Sequence, residues 1–544
     1  MNRHHFEALR RRSSPVENAL IDEFLAARID RRSFLRHATV LGFGAAFLTS
    51  LLPRPLIAAA KTGGHITVGM PVPAGRVDPL TVSDTGGVCL ASQTGEYLAV
   101  SDGNLQLQPV LAESWKPNAD GSIWTFKIRR GVTFHDGQTL TAADVAATMN
   151  RLADPANGSV ALSAFAGALS KGGARSLDEG TVEFQLDAPN GSFPYLVSSD
   201  NFNALILPAN YAGNFEKHFI GTGPFRLEKF TPKAGASFVR NDAYWGAKAL
   251  PDRSVFTFYD STQAQVLAMQ GGQLNVLLHV SVQGSQALLA DPALDVVALK
   301  SSAHNQVHMR TDEGPFADKR IRRAVALCLN RKNLISGMFR GHATLGNDSP
   351  FAPLYAATDP SVAQREQDIA QAKALLAAAG RPNGFKATLT TERFQEIPDL
   401  AVIIQNAVRK IGIDLTLRIE DQAAYYGRAT FGQSDWLDCT LGITDYGHRG
   451  VPNTTLSASL GSKGTFNAAH FKSPPYDRLV ADYIAAIDPA QQRETAGAIQ
   501  RLLLDETPII VPYFYDWLSV TSKDIRNVRP TAIGQLFLGQ AHWS

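Results

Sequence analysis

Three cysteines in 544 residues are too few for a disulfide framework, and Cys89, Cys328 and Cys439 stand too far apart for a metal-binding pattern. None follows the N-terminal apolar segment closely enough to become a lipidated N-terminus. They are expected as small buried hydrophobes. An excess of one charge is also missing. The 52 Lys and Arg face 50 Asp and Glu, and a net charge of +2 gives no basic footprint for nucleic acid. Enzyme signatures are absent: the chain has no H-E-x-x-H, no G-x-S-x-G and no G-x-x-x-x-G-K-[ST]. His304 and His308 would share one face of a strand about 13 Å apart, too far to hold a metal together. No cofactor is expected.

What is present is an ordinary globular composition, 44% hydrophobic and 19% charged, with length for two or three domains. Residues 30–36, DRRSFLR, match a twin-arginine export pattern through Arg31, Arg32, Phe34 and Leu35. Asp30 replaces the usual Ser or Thr, and an unusually long charged stretch, residues 15–29, precedes the pair. The apolar segment 38–52 holds about 15 residues, short of the roughly 20 a membrane span needs. Small residues at 57–60 offer a cleavage point before Lys61. Residues 1–60 carry nine Arg against five acids, so the product would be close to neutral. It is expected free in the periplasm, without a lipid anchor.

Local patterns then read as mixed α/β. Residues 64–70 alternate as a first strand and run into Pro71. Asn118 to Ser122 forms a turn signal before the alternating run 123–128. Thr141 stands three residues before Asp144, a capping-box-like start for a helix over 142–152. Further strands are expected at 181–186 and 255–259, and helices at 262–270, 281–290, 368–379 and 491–505.

The block LAESWKPNADGSIWTFKIRRGVTFHDGQTLTAADV, residues 111–145, resembles the signature of the extracytoplasmic solute-binding proteins that serve peptide, opine and nickel ABC importers, the dipeptide- and oligopeptide-binding class called family 5. Later segments resemble the same family in order: GTGPFRL at 221–227, RNDAYWG at 240–246, PFAD at 315–318 with IRRA at 321–324, the helix 368–379 closed by Gly380, and NAAHFKSPPYDRL at 467–479. Ser473 stands there in place of the usual Asn. The resemblance implies a two-lobed, periplasmic-binding-protein-like α/β fold with two strands crossing between the lobes. Lobe one, including an extra subdomain, would take residues 61–302 plus 512–544, and lobe two 303–511. It implies a monomeric receptor that carries a small polar, peptide-like solute to separate permease and ATPase subunits.

The loop 442–453, GITDYGHRGVPN, is the most chemically loaded stretch. In the family the corresponding loop carries an acid that holds the ligand's amino group. Matching the acids puts Asp445 in that position. Matching the aromatic instead puts Tyr446 on the family Trp and Arg449 in the acid's place, and this register leaves Pro452 closer to the family proline. The aromatic register is preferred. A buried Arg449 would favour a carboxylate, hence an anionic or zwitterionic solute; alternatively Arg449 pairs with Asp445 and only shapes the loop. His448, Thr85, Tyr425 and Trp436 are further candidate wall residues, the last two expected first as packing and second as ligand contacts. Other functions remain open at this level: a nickel or metal-chelate receptor, an opine receptor, a chaperone-like peptide holder, or an exported hydrolase using Asp445 or Asp438 with His448. The export reading predicts that replacing both Arg31 and Arg32 with Lys retains the precursor in the cytoplasm, as fractionation would reveal; periplasmic recovery of the double variant contradicts it.

Overall fold

The computed structural model describes residues 61–544 together with Asn18, Ile21 and Asp22. The twin-arginine motif and its cleavage point therefore lie outside the described residues. Lys61–Ser544 form one compact unit. Among the described residues no helix is long and apolar enough to cross a membrane.

Alternation along His65–Pro71 sends Ile66, Val68 and Met70 into the core, and this strand lies in the middle of a seven-stranded sheet. It runs parallel to Arg253–Tyr259 on one side and to Val276–Leu277 on the other. The sheet continues through Gly235–Arg240 to Phe225–Thr231 at one edge, and through Trp517–Ser522 to Leu294–Leu299 at the other. A five-stranded sheet has the order Asp414–Glu420, Lys386–Glu392, Leu441–Tyr446, His304–Met309, Ile509–Ile510. Its first three strands are mutually parallel, and His304–Met309 pairs antiparallel to both of its neighbours.

Chain passes between the two sheets twice. Residues 300–303 leave Leu294–Leu299 and enter His304–Met309, and residues 511–516 lead from Ile509–Ile510 back to Trp517–Ser522. The result is a two-lobed α/β frame. One hydrophobic core lies under the larger sheet and the hairpin subdomain; a second runs from Leu277, Leu518 and Val520 of the larger sheet into the smaller one.

The hairpin forms as its turn chemistry requires. Asn118 Oδ1 accepts the Ile123 N–H at 3.1 Å, Asp120 Oδ1 accepts the Ser122 N–H at 3.0 Å, and Gly121 takes φ +75°. Ala112–Pro117 and Ile123–Ile128 then pair antiparallel and extend to a four-stranded sheet with Thr181–Gln185 and Ala174–Asp178. The helix Ala142–Leu152 starts at Thr141, whose N–H and hydroxyl both donate to Asp144 Oδ2, at 2.8 and 2.9 Å. One expectation is corrected: residues 281–290 contribute only a short helix, Gln286–Leu289. Ser281 Oγ accepts the Gly284 N–H at 3.1 Å, and that local side-chain turn replaces a helical start.

Two of the family-like motifs converge on one buried carboxylate. Glu96 accepts from the Thr222 hydroxyl at 2.8 Å, the Tyr244 hydroxyl at 2.6 Å and the Trp245 indole at 2.8 Å. Thr222 comes from the GTGP turn, while Tyr244 and Trp245 come from the RNDAYWG segment. Gly221 and Gly223 lie so close to the Thr94 carbonyl that a Cβ would fall 2.1 and 2.7 Å from its oxygen. His135 joins them, with Nε2 at 3.0 Å from the Gly223 carbonyl. Elsewhere, Asp348 is fully buried and receives Arg331 Nη2 at 2.7 and 2.9 Å and Arg365 Nη1 at 2.7 Å.

Removing an acceptor from either cluster strands buried donors or charges. Glu96→Ala should lower unfolding stability by about 3 kcal/mol, leaving three donors unpaired. Asp348→Ala should cost about 3–5 kcal/mol. Urea denaturation measures both, and losses below about 1 kcal/mol would mean that these clusters are not what holds their loops.

Candidate solute site

Open α/β sheets bind ligands beyond the carboxyl ends of their parallel strands. In the smaller sheet those ends carry acids. Asp445 is the penultimate residue of Leu441–Tyr446 and stands opposite Asn305. Its Oδ1 accepts from Asn305 Nδ2 at 3.0 Å and from the Tyr515 hydroxyl at 2.7 Å. Both crossings therefore hold it: Asn305 is at the start of one sheet strand, and Tyr515 lies on the return. Glu392 ends Lys386–Glu392, is fully buried, and accepts from the Tyr426 hydroxyl at 2.7 Å and from Gln422 Nε2 at 2.6 Å. Glu396 precedes the helix Ile397–Arg409, and the backbone N–H of Gln283 faces it.

Among the described residues, no Lys, Arg or His lies within ion-pair distance of these three acids, and Asp445 Oδ2 receives no protein donor. Burial pushes the Asp445 carboxyl up to about 7; the Tyr515 hydroxyl works against this, while the charges of Glu392 and Glu396 add to it. Burial also raises Glu396 above the usual carboxylate range.

Tyr446, on the next residue, stacks on His304 with ring centroids 5.5 Å apart and planes 11° apart, and Phe514 meets His304 edge-on at 5.3 Å. His448 is buried, and its Nδ1 accepts the Ser302 N–H at 2.9 Å; burial and neighbouring Arg449 push it down to about 3, so it stays neutral. Arg449 does not pair with Asp445. The acids that bear on its guanidinium are Tyr355 and Asp200, the latter on the loop after Phe193–Leu196. This corrects the alternative in which Arg449 and Asp445 shape their loop by pairing with each other.

Thr85 opens the helix Thr85–Thr94 behind the cap residue Asp84, and its methyl group packs on Gly534. The turn 531–535 lines a cavity of about 520 Å³ that reaches Ser101, Asp102, Lys300, Arg529 and His448. Thr85 thus borders the neighbourhood of this cavity without lining it. Tyr425 takes the packing role: it is fully buried, and its hydroxyl is engaged with the Ile443 carbonyl at 2.9 Å and Thr444 Oγ1 at 3.0 Å. Trp436 packs between Tyr426 and Phe466, with centroids at 5.2 and 5.3 Å. His304 and His308 are separately engaged, His308 Nε2 lying 3.3 Å from Cys439 Sγ. Among the described residues no group of three or more His, Cys, Asp or Glu could hold a metal ion. All three cysteines are free, Cys89 and Cys328 being buried. Sequence reasoning passed over Glu392, Glu396, Asn305, Tyr515 and Asp200. The only signal for Glu392 was its place at the end of an alternating run, and nothing in the sequence tied Tyr515 to Asp445.

Residues 106–453 match the model of the bacterial extracellular solute-binding proteins, family 5 (middle). The chain belongs to this family. It is similar to the glutathione-binding protein GsiB of Escherichia coli strain K12, 25% identical over 482 residues that cover 82% of this chain and 88% of that protein. Heme-binding protein A of Haemophilus influenzae is 24% identical over 439 residues, covering 75% and 79%. The structure of DppA from Helicobacter pylori in complex with the peptide STSA superposes with a TM-score of 0.72 at 22% identity, covering 89% of this chain and 98% of that one. A family 5 member is the substrate-binding component of an ABC importer, and the two-lobed frame is that of the family.

The raised Asp445 pKa makes a signed prediction. A folded-state pKa near 7 against an ordinary value of about 3.9 means that the folded protein holds this proton more tightly. The stabilisation is complete below about pH 4, is lost as the pH rises and is gone above about pH 7. Asp445→Asn, which mimics the protonated acid, should melt like the wild type near pH 4 and above it at pH 8. Equal melting temperatures at pH 8 would contradict the assignment.

Proposed function

We propose that this protein is a periplasmic receptor for a peptide-like solute with a free amino group, which it carries to an ABC permease without altering it. The observation that carries this reading is the Asp445 carboxylate, with one oxygen fixed by Asn305 and Tyr515, the other without a protein donor, and two more acids beside it with no cation. An ammonium supplies the missing charge and donors. The reading takes the acid-matched register over the aromatic one, and Asp445 over Arg449 as the ligand-facing group. It places lobe one at residues 61–302 and 512–544 and lobe two at 303–511, and it takes export by the twin-arginine route and a monomer as the working state. The solute's remaining groups would be met in the cavity lined by His448 and Arg529, where Arg529 offers positive charge to a carboxylate of a zwitterion, Lys300 being already paired with Asp516. Peptide, glutathione and heme names among similar proteins support a receptor for organic solutes and leave the individual ligand open.

A thermal-shift screen of the full chain against short peptides, glutathione, opines, hemin and nickel chelates tests the reading, since a ligand of the folded state raises the melting temperature. The deciding pair is tri-alanine and its N-acetylated form. The free amine should stabilise, the acetylated form should bind at least about 2 kcal/mol more weakly, and Asp445→Asn should abolish the difference. Equal shifts from both peptides, or a best ligand without a cationic group, contradict it.

A further inference from the structure

Several polar side chains around the 520 Å³ cavity are already committed to protein partners. The Ser101 hydroxyl donates to Asp200 Oδ2 at 2.5 Å, Asp102 Oδ1 accepts the N–H groups of Asn104 and Gln106 at 2.8 and 3.0 Å, and Gln535 Nε2 donates to the Ser199 carbonyl at 2.8 Å. His448 differs. It is 6% exposed, and its ring lines the cavity with one nitrogen engaged and the other without a protein partner among the described residues.

The engaged nitrogen fixes the tautomer. Nδ1 accepts the Ser302 backbone N–H at 2.9 Å, and a backbone N–H can only donate, so Nδ1 carries no proton and the neutral ring holds its proton on Nε2. Ser302 Oγ also lies 3.2 Å from Nδ1, but its own proton goes to the Arg449 carbonyl at 2.9 Å, and it accepts the Arg449 N–H at 2.9 Å. The Tyr355 hydroxyl donates to the same carbonyl at 2.8 Å. Backbone on both sides of the ring therefore sets its direction, and Nε2–H is a buried donor whose acceptor must come from the contents of the cavity.

Asp200 limits what that acceptor is. Gly450, two residues after His448, packs on it so closely that a Cβ would fall 2.0 Å from Asp200 Oδ2, and Asp200 lines the same cavity. A solute carboxylate at His448 would face this like charge, and Arg529, which pairs with no acid among the described residues, is the better place for it. A neutral carbonyl oxygen accepts from the imidazole without that repulsion.

We infer that His448 is a specificity-determining residue: its Nε2–H, held in place through Ser302, donates to an amide carbonyl of the solute, so that the receptor selects amines that carry a peptide bond over amines alone. The inference rests on the amine reading of Asp445 and adds the solute's backbone to it. A buried donor that only the solute can satisfy discriminates against analogues that lack the acceptor.

Isothermal titration calorimetry of the full chain tests this with tri-alanine and with two analogues in which one or the other peptide bond is replaced by a trans alkene. The proteins are the wild type, His448→Asn and His448→Gln. Asn puts an acceptor where Nδ1 stood, keeping the Ser302 anchor while withdrawing the cavity donor; Gln carries an amide N–H to the position of Nε2. His448→Asn should melt like the wild type and bind tri-alanine about tenfold more weakly, and His448→Gln should recover part of that loss. One alkene analogue should bind the wild type about tenfold more weakly than tri-alanine and should not distinguish the wild type from His448→Asn. Equal binding of tri-alanine by the wild type and His448→Asn overturns the inference, as does a loss in His448→Asn that is the same for all three solutes, the mark of a merely structural role. If N-acetylation still weakens tri-alanine in either case, the amine reading of Asp445 stands without it; a wild type that binds no free-amine peptide overturns both.

Discussion

A carboxylate taken out of water must find donors or a counter-charge, or else keep its proton. Asp445 meets this constraint only in part, and the arrangement around it follows. Asn305 and Tyr515 reach its Oδ1 because the strand His304–Met309 and the return through Tyr513–Tyr515 both run beside Leu441–Tyr446. Neighbouring Glu392 and Glu396 deepen the deficit of positive charge. A solute ammonium would complete the site. On the proposed reading, a solute that meets both lobes would favour closure, since differential affinity is what shifts a two-state clamp.

The frame itself was legible in the sequence because its signals are local. The turn from Asn118 to Ser122, the cap at Thr141 and the alternation of 65–71 each state their structure within a few residues, and the structure realises each. The ordered motifs were readable for a second reason, which the structure makes plain. They are internal fasteners: the GTGP turn and the RNDAYWG segment close on Glu96, and Arg322 of the IRRA segment donates to the carbonyls of Phe316, Ala317, Glu506 and Thr507. A fold keeps such groups whatever it binds, so they announce the family and not the ligand.

The site was less legible because it is assembled from separated pieces. Asp445 stood out only as one polar residue of a loaded loop, and Arg449, next to His448 and four residues from Asp445, was favoured over it on spacing. What separates them is three-dimensional: Asp445 accepts from Tyr515, 70 positions away, whereas Arg449 makes no contact with Asp445 and is followed by Gly450, which packs on Asp200 of the loop after Phe193–Leu196. Tyr425 shows the packing role that competed with a wall role for an aromatic beside a polar loop, its hydroxyl engaged on strand Leu441–Tyr446. The helix expected over 281–290 failed through a competing Ser281 turn that no periodicity reports.

The most direct measurement of the central claim is a crystal structure of the protein with its best-binding solute. The account predicts a solute nitrogen within hydrogen-bond distance of Asp445 Oδ2, with the Asn305 and Tyr515 bonds to Oδ1 retained. A solute held by its carboxylate on Arg449, with Asp445 untouched, would contradict it.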